Sequence, residues 1–401
     1  QESVNNARSA NNPENIRDSC IQKGCEVKDK ISERKTKVLE IITRSDWAGA
    51  QRIVYEICKG IKENYSEKIE VEVAMGGNGP LFPMLEELGV RTHKIDNLQR
   101  SMNPLSDIRS YRDLKRLIRE NGYDVVHCHS SKAGVIGRLA AKKNNVENVI
   151  YTVHGWWGVT QFRGLKRNSV LFVERVMAKK TDKLVFVCNR DQEFAKNNLI
   201  GKVSQYEVIV NQVTVPQYGR GKLRSMLDLS DSVKIVGNVA RLSPQKNPIR
   251  FVEVAAEVLK SSSNTVFVWI GDGELMDHAI EHSKRLGIAD KIRFIGFHQN
   301  GAELMADFDC LLMTSDDEGL PITVLEALAQ GIPVVSTDVG GIRESLDNLG
   351  KVVAIDENCA DQLAGEILRE LAQKVNRKRS QENPYRMVAS YCTAYTSARK
   401  E

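Results

Sequence analysis

Along this chain, short apolar runs alternate with longer stretches of helical period, the pattern of strands joined by crossover helices. In the first half the runs fall at 37–43, 69–74, 124–128, 149–153 and 183–188, with a last strand near Tyr206 to Val210. In the second half, Val233 to Ala240, the run ending at Ile270, Cys310 to Met313 and Ile332 to Thr337 read the same way. Such alternation predicts an α/β protein built on doubly wound parallel sheets, which bind ligands at the carboxyl edge of the strands. At 401 residues the chain exceeds the size at which one core usually divides, so two domains are expected, at 36–215 and 216–380. Residues 1–35 are rich in Asn, Ser, Lys and Glu without sustained periodicity, and are expected to be a flexible extension with no readable function.

Four strand ends carry candidate chemistry. After Cys310-Leu311-Leu312-Met313, Glu318 stands at a strand-to-helix turn, followed by Gly319, Leu320 and Pro321, the last suited to the first turn of a helix. Ile322, Leu325 and Ala329 form the stripe expected to face the core, and Glu326 falls inside it, where a carboxylate needs a partner. Taken alone, this spacing also suits a helix-capping Glu318 and a Glu326 paired with a buried Arg. Arg241 and Lys246 flank the loop after the 233–240 strand, before a helix starting near Pro248. Two cations beside a helix N-terminus match a diphosphate, whose oxygens the Arg fork, the Lys charge and the helix amides neutralise together. Gly340-Gly341 allow backbone to approach a ligand closely, whereas Gly271 and Gly273 read only as a turn.

With these elements the chain resembles the family-4 glycosyltransferases, retaining enzymes of the GT-B fold, from about residue 36 onward. Arg44-Ser45-Asp46-Trp47-Ala48-Gly49-Ala50-Gln51 looks like the family's first Gly-rich loop, with Ala48 where a second glycine is common and Gln51 in place of Glu. Val125 to Gly134 and Tyr151 to Trp156 resemble the subgroup that builds bacterial surface polysaccharides and lipid-linked glycans. Asn211 to Pro216 resembles the interdomain connection, with Gln212 replacing a frequent glycine. The resemblance implies two Rossmann-like domains with a cleft between them and a terminal helix, within 381–401, returning to the first domain through Tyr385, Met387, Val388, Tyr391 and Tyr395. It implies that Glu318 lies near the donor sugar, that Glu326 holds the ribose, that Arg241 and Lys246 clamp the diphosphate and that His154 faces the sugar. Gly49 would give the acceptor-side loop room beside the phosphates. The implied substrates are a sugar nucleotide, most simply a UDP-sugar, and a lipid-linked or polysaccharide acceptor, with no cofactor and no metal. A GT-B sugar-nucleotide epimerase and a catalytically silent GT-B binding subunit are the alternatives.

Charge adds little to this. With 57 Lys and Arg against 52 Asp and Glu, the net charge is only +5, and no nucleic-acid partner is expected. A basic helix with Arg109, Arg112, Lys115, Arg116 and Arg119 around an Ile108, Tyr111, Leu114 and Ile118 face, and the basic, aromatic stretch from Trp156 to Arg167, suit an anionic membrane surface equally with plain solvation. No apolar run approaches the roughly 20 residues of a membrane span, so a cytosolic enzyme, in reach of the inner membrane face, is expected. The eight cysteines are scattered and read as reduced thiols, with Cys20 and Cys25 in the flexible tail. His127 and His129 share one strand face, but no carboxylate at ligand spacing completes a metal site with them.

Overall fold

The computed structural model describes residues 34–101, 103–346, 350–373 and 386–397; Cys20, Cys25, Tyr385 and the extension through residue 33 lie outside them. Seven parallel strands form the first sheet: β1 Thr36–Ile42, β2 Ile69–Met75, β3 Arg91–Lys94, β4 Val125–His129, β5 Asn148–Val153, β6 Lys183–Phe186 and β7 Tyr206–Val208, in the order β3-β2-β1-β4-β5-β6-β7. Six more form the second: β8 Lys234–Val239, β9 Thr265–Ile270, β10 Ile292–Phe294, β11 Cys310–Met313, β12 Val334–Thr337 and β13 Gly350–Val353, in the order β10-β9-β8-β11-β12-β13. Both are doubly wound Rossmann-like sheets. The strand order reverses between β1 and β4 in one and between β8 and β11 in the other, where such sheets open a ligand crevice. Strands β3, β10 and β13 have no counterpart among the sequence expectations. They are short edge strands, half-exposed over most of their length, and so lack a continuous apolar run.

Each sheet is covered on both faces, which explains the largely apolar runs of its central strands. Burying side chains such as Phe186, Trp269 and Phe308 contributes roughly 1.5–3 kcal/mol each. The helix Arg386–Thr396 inserts Met387, Val388, Tyr391 and Tyr395 into the cluster beneath the helix Gly49–Asn64. It sits so close that a Cβ on Gly60 would lie 2.5 Å from Val388 Cγ2. Asn148 donates to Ala394 O at 2.9 Å, and the Met387 amide to Gln212 Oε1 at 2.8 Å.

Two expectations need correction here. In the basic helix Pro104–Asn121, Ser110, Leu114 and Ile118 make the inward stripe, leaving Ile108 49% exposed about half a turn away. Trp156 is open to neither a membrane surface nor solvent: it is buried, stacks on Phe194 and donates its indole N–H to Asp191 O at 2.9 Å. The six cysteines among the described residues are free and buried. No described helix is long and apolar enough to cross a membrane.

Candidate functional site

The two neighbours at the second switch point, β8 and β11, deliver the candidate charges. After β8 the chain makes a short turn, Pro244–Lys246, and Asn247 adopts a left-handed φ of 46° while its side chain caps the helix Pro248–Ser261 through the Arg250 amide at 3.1 Å. This turn aims Lys246 across at β11: its Nζ donates to Glu318 Oε1 at 2.5 Å, and Ser315 Oγ donates to the same oxygen at 2.6 Å. Glu318 is only 6% exposed, so the ammonium and hydroxyl stabilise an otherwise costly buried carboxylate. Arg241 is half-exposed and bonds Glu274 at 2.9 Å. The two cations thus hold separate carboxylates rather than standing free. Gly271 and Gly273 prove to be more than a turn, since a Cβ on either would fall 1.9 Å from Ala240 O or 2.3 Å from Leu242 O, against the loop that carries Arg241.

Three backbones meet at Glu318-Gly319. From β5, a Cβ on Gly155, at φ 118°, would sit 2.8 Å from Gly319 N, while one on Gly319 would sit 2.7 Å from His154 O. From β12, the Gly341 amide donates to Gly319 O at 2.7 Å, and a Cβ on Gly340, at φ 55°, would be 2.2 Å from that oxygen. The close approach made by Gly340-Gly341 is therefore to protein backbone. Asn211 Nδ2 bonds Leu320 O at 3.2 Å, and Thr160 bonds the Asp317 carboxylate, so both sheets' loops are joined here. Leu320 and Pro321 are buried, with Pro321 just before the helix Ile322–Ala329 as its N-cap. Gly49 starts its helix facing that one, its missing Cβ 3.6 Å from Ile322 Cγ1.

Glu326 corrects the expected core stripe. Val324, Ala327 and Leu328 are the residues that face the second domain's core, whereas Ile322 packs on the first domain's cluster. Glu326 consequently looks toward the first domain, near Arg52 and Glu56, and no hydrogen bond reaches its carboxylate among the described residues. Arg52 is engaged by Glu56 at 2.8 Å and by Thr214 O at 2.7 Å. Burial pushes the Glu326 carboxyl up to about 7; Arg52 opposes the shift and Glu56 adds to it. The folded state therefore binds this proton more tightly than the unfolded chain, a contribution to stability that is lost as pH rises through about 7. Between about pH 4.5 and 7 the ligand-free parent should lose melting temperature relative to Glu326→Gln; parallel pH profiles for the two would refute this.

The side chain of His154 opens onto a buried network that sequence reasoning missed. The fold does supply a carboxylate to His127 and His129: Glu40 from β1, whose Oε2 lies 3.0 Å from His127 Nδ1 and 2.7 Å from His129 Nε2. These three residues could hold a metal ion by proximity, but their ligand atoms already bond one another and Tyr395 OH, which is 2.7 Å from Glu40 Oε1 and 2.8 Å from His127 Nδ1. Thr152 Oγ1 is 2.7 Å from His127 Nε2 and 3.2 Å from Tyr391 OH. His129 Nδ1 then meets His154 Nε2 at 2.9 Å. Burial alone would raise the Glu40 carboxyl, but the two histidines outweigh it and hold it well below the usual carboxylate range. Burial, reinforced by His127, brings His129 down to about 4, and burial with His129 beside it lowers His154 well below the ordinary histidine value.

Paired Rossmann-like sheets with their carboxyl edges joined at a glycine-lined, charged junction define a GT-B glycosyltransferase architecture. The chain belongs to the family-4 glycosyltransferases: residues 47–213 match the model "Glycosyltransferase Family 4" and residues 220–387 match "Glycosyl transferases group 1". It is 28% identical over 358 residues to the UDP-Gal:alpha-D-GlcNAc-diphosphoundecaprenol alpha-1,3-galactosyltransferase of Escherichia coli, covering 86% of this chain and 90% of that one. It is 25% identical over 277 residues to the N,N'-diacetylbacillosaminyl-diphospho-undecaprenol alpha-1,3-N-acetylgalactosaminyltransferase of Campylobacter jejuni, covering 66% and 72%. Among solved structures, Anabaena HepE in complex with UDP and glucose superposes with a TM-score of 0.71 at 20% identity, over 90% of this chain and 94% of that one. WaaG, a glycosyltransferase involved in lipopolysaccharide biosynthesis, gives 0.68 at 16%, over 90% and 99%.

Proposed function

We propose that this chain is a retaining, metal-independent glycosyltransferase that moves a sugar from UDP to a hydroxyl of a lipid-linked or polysaccharide acceptor. The observation that carries the reading is the Lys246–Glu318 pair, held at the strand-order switch where His154-Gly155, Gly319 and Gly340-Gly341 converge. A diphosphate entering there would draw Lys246 from Glu318 and Arg241 from Glu274, and the two cations would stabilise the charge that grows on the leaving group. Glu318, released, would position the sugar. Glu326 would accept from the ribose hydroxyls, which would give it the hydrogen bonds it lacks. Gly319, Leu320 and Pro321 would bring helix N–H groups toward the phosphates, and Gly49, opposite Ile322, would leave room for them. The acceptor attacks the face the diphosphate leaves, and a phosphate oxygen takes its proton, so no protein nucleophile is assigned.

Two names support the substrates: the E. coli relative is a UDP-Gal transferase to a diphosphoundecaprenol-linked sugar, and the Anabaena neighbour binds UDP. Work at the cytoplasmic membrane face suits a helix, Gly164–Ala178, that exposes Leu165 by 86% and Phe172 by 65% beside Arg163, Lys166 and Arg167. The position of Lys246 and Arg241 supports metal independence, and the candidate metal-ligating carboxylates nearby are adjacent and engaged, Asp316 by Arg250 at 2.7 Å and Asp317 by Thr160.

The test is product analysis with a panel of UDP-sugars and a polyprenyl diphosphate-linked sugar acceptor, in excess chelator. Transfer should persist and the new linkage should keep the donor's anomeric configuration. An inverted product, or activity that vanishes in chelator and returns with Mg²⁺ or Mn²⁺, overturns the mechanism. A donor consumed without any acceptor product indicates an epimerase instead.

A further inference from the structure

Hydrogen bonds through buried histidines must run in one direction, and here the direction is set at Glu40. An ionised carboxylate only accepts, so His129 presents Nε2–H to it across 2.7 Å. A neutral imidazole has one N–H, which leaves His129 Nδ1 as a lone pair. The facing atom at 2.9 Å, His154 Nε2, must then carry the hydrogen. The ring centroids lie 5.2 Å apart at 27°, the near-coplanar separation of an in-line N–H···N bond rather than of face-to-face packing. His154 Nδ1, the remaining nitrogen, has no protein partner among the described residues.

We propose that Glu40 and His129 are positioning residues that lock His154 as its Nε2–H tautomer, so that Nδ1 is held as a bare acceptor for a hydroxyl of the bound sugar. The sugar as occupant rests on the function proposed above; the tautomer does not. Tyr395 donates to Glu40 Oε1, leaving Oε2, which His127 Nδ1 also approaches at 3.0 Å, as the oxygen turned to His129. The lock selects for a ligand that donates at this point. A sugar hydroxyl does so, whereas an ether or carbonyl in the same place would leave the lone pair unanswered.

The experiment is a long-range proton–nitrogen NMR spectrum of the ligand-free protein carrying ¹⁵N-histidine, with His154→Asn assigning the ring. In the parent, His154 should show one protonated nitrogen, Nε2. A ring protonated at Nδ1, or an even mixture of tautomers, overturns the proposal whatever the enzyme's activity. In Glu40→Gln the bias should collapse to a mixture; a folded variant that keeps His154 fully as Nε2–H removes Glu40 from the argument. Should that variant unfold, His129→Leu gives the same reading, since it deletes the acceptor outright. On turnover, His129→Leu should cost roughly tenfold or more in kcat with UDP affinity unchanged, and His129→Asn, which restores an acceptor, should recover much of it. A locked tautomer in a protein that transfers no sugar would retain the positioning pair and refute the glycosyltransferase reading alone.

Discussion

Lys246→Ala should reduce turnover at saturating donor by about 30- to 1,000-fold, the equivalent of ~2–4 kcal/mol of transition-state stabilisation. Two physical losses combine. The ammonium sits at the junction where the leaving group would develop charge, and in the ligand-free protein it is also the partner of Glu318, left with the single hydroxyl of Ser315 in its place. A buried carboxylate stripped of its cation destabilises the fold, so the variant's melting temperature should fall as well. Arg241→Ala should lower turnover with little change in melting temperature, because its pair with Glu274 is half-exposed. Near-parental kcat in both variants would end the diphosphate assignment.

Gly340→Ala should be of similar severity for a different reason. Its Cβ would stand 2.2 Å from Gly319 O and 2.3 Å from Glu318 O, and the residue has a left-handed φ of 55°. Both obstacles are backbone, which cannot rotate away as a side chain can, so the Glu318 turn must shift. Displacement of a reacting group by about 1 Å can cost on the order of 100-fold, and the strain adds roughly 1–3 kcal/mol against folding. Gly365→Ala is the control: beyond its chain neighbours and its own helix's backbone, no described atom lies within 4 Å of its Cβ, and the residue is in the helix Cys359–Ala372, so stability should hold or improve by about 0.5–1 kcal/mol. Parental turnover in Gly340→Ala would show that the contact with Gly319 does not set the site's geometry.

The sheets were legible because burial on both faces writes itself as continuous runs such as Val149 to Val153 and Cys310 to Met313. The edge strand Arg91–Lys94 writes nothing of the kind. Glu326 was misread as core-facing because an amphipathic stripe says only that something covers it, and here the cover is the other domain. Gly340-Gly341 signalled a close approach without saying to what. Glu40 was invisible for a related reason. Within Val38-Leu39-Glu40-Ile41-Ile42 it is a lone polar residue in an apolar strand, and its meaning comes from the register that sets it opposite His127, 87 positions away. The His127 and His129 alternation was visible locally, but register between distant strands is not.

That network also fixes a timetable for biosynthesis. Glu40 leaves the ribosome well before Tyr395, since their bond closes a separation of 355 residues. Until the helix Arg386–Thr396 has been made and has travelled back, Glu40 lacks the phenol that holds its far oxygen, and the first domain's apolar seat for that helix stays open. The first domain's strands can form ahead of that helix, but their histidine acquires its full support only after it has been made.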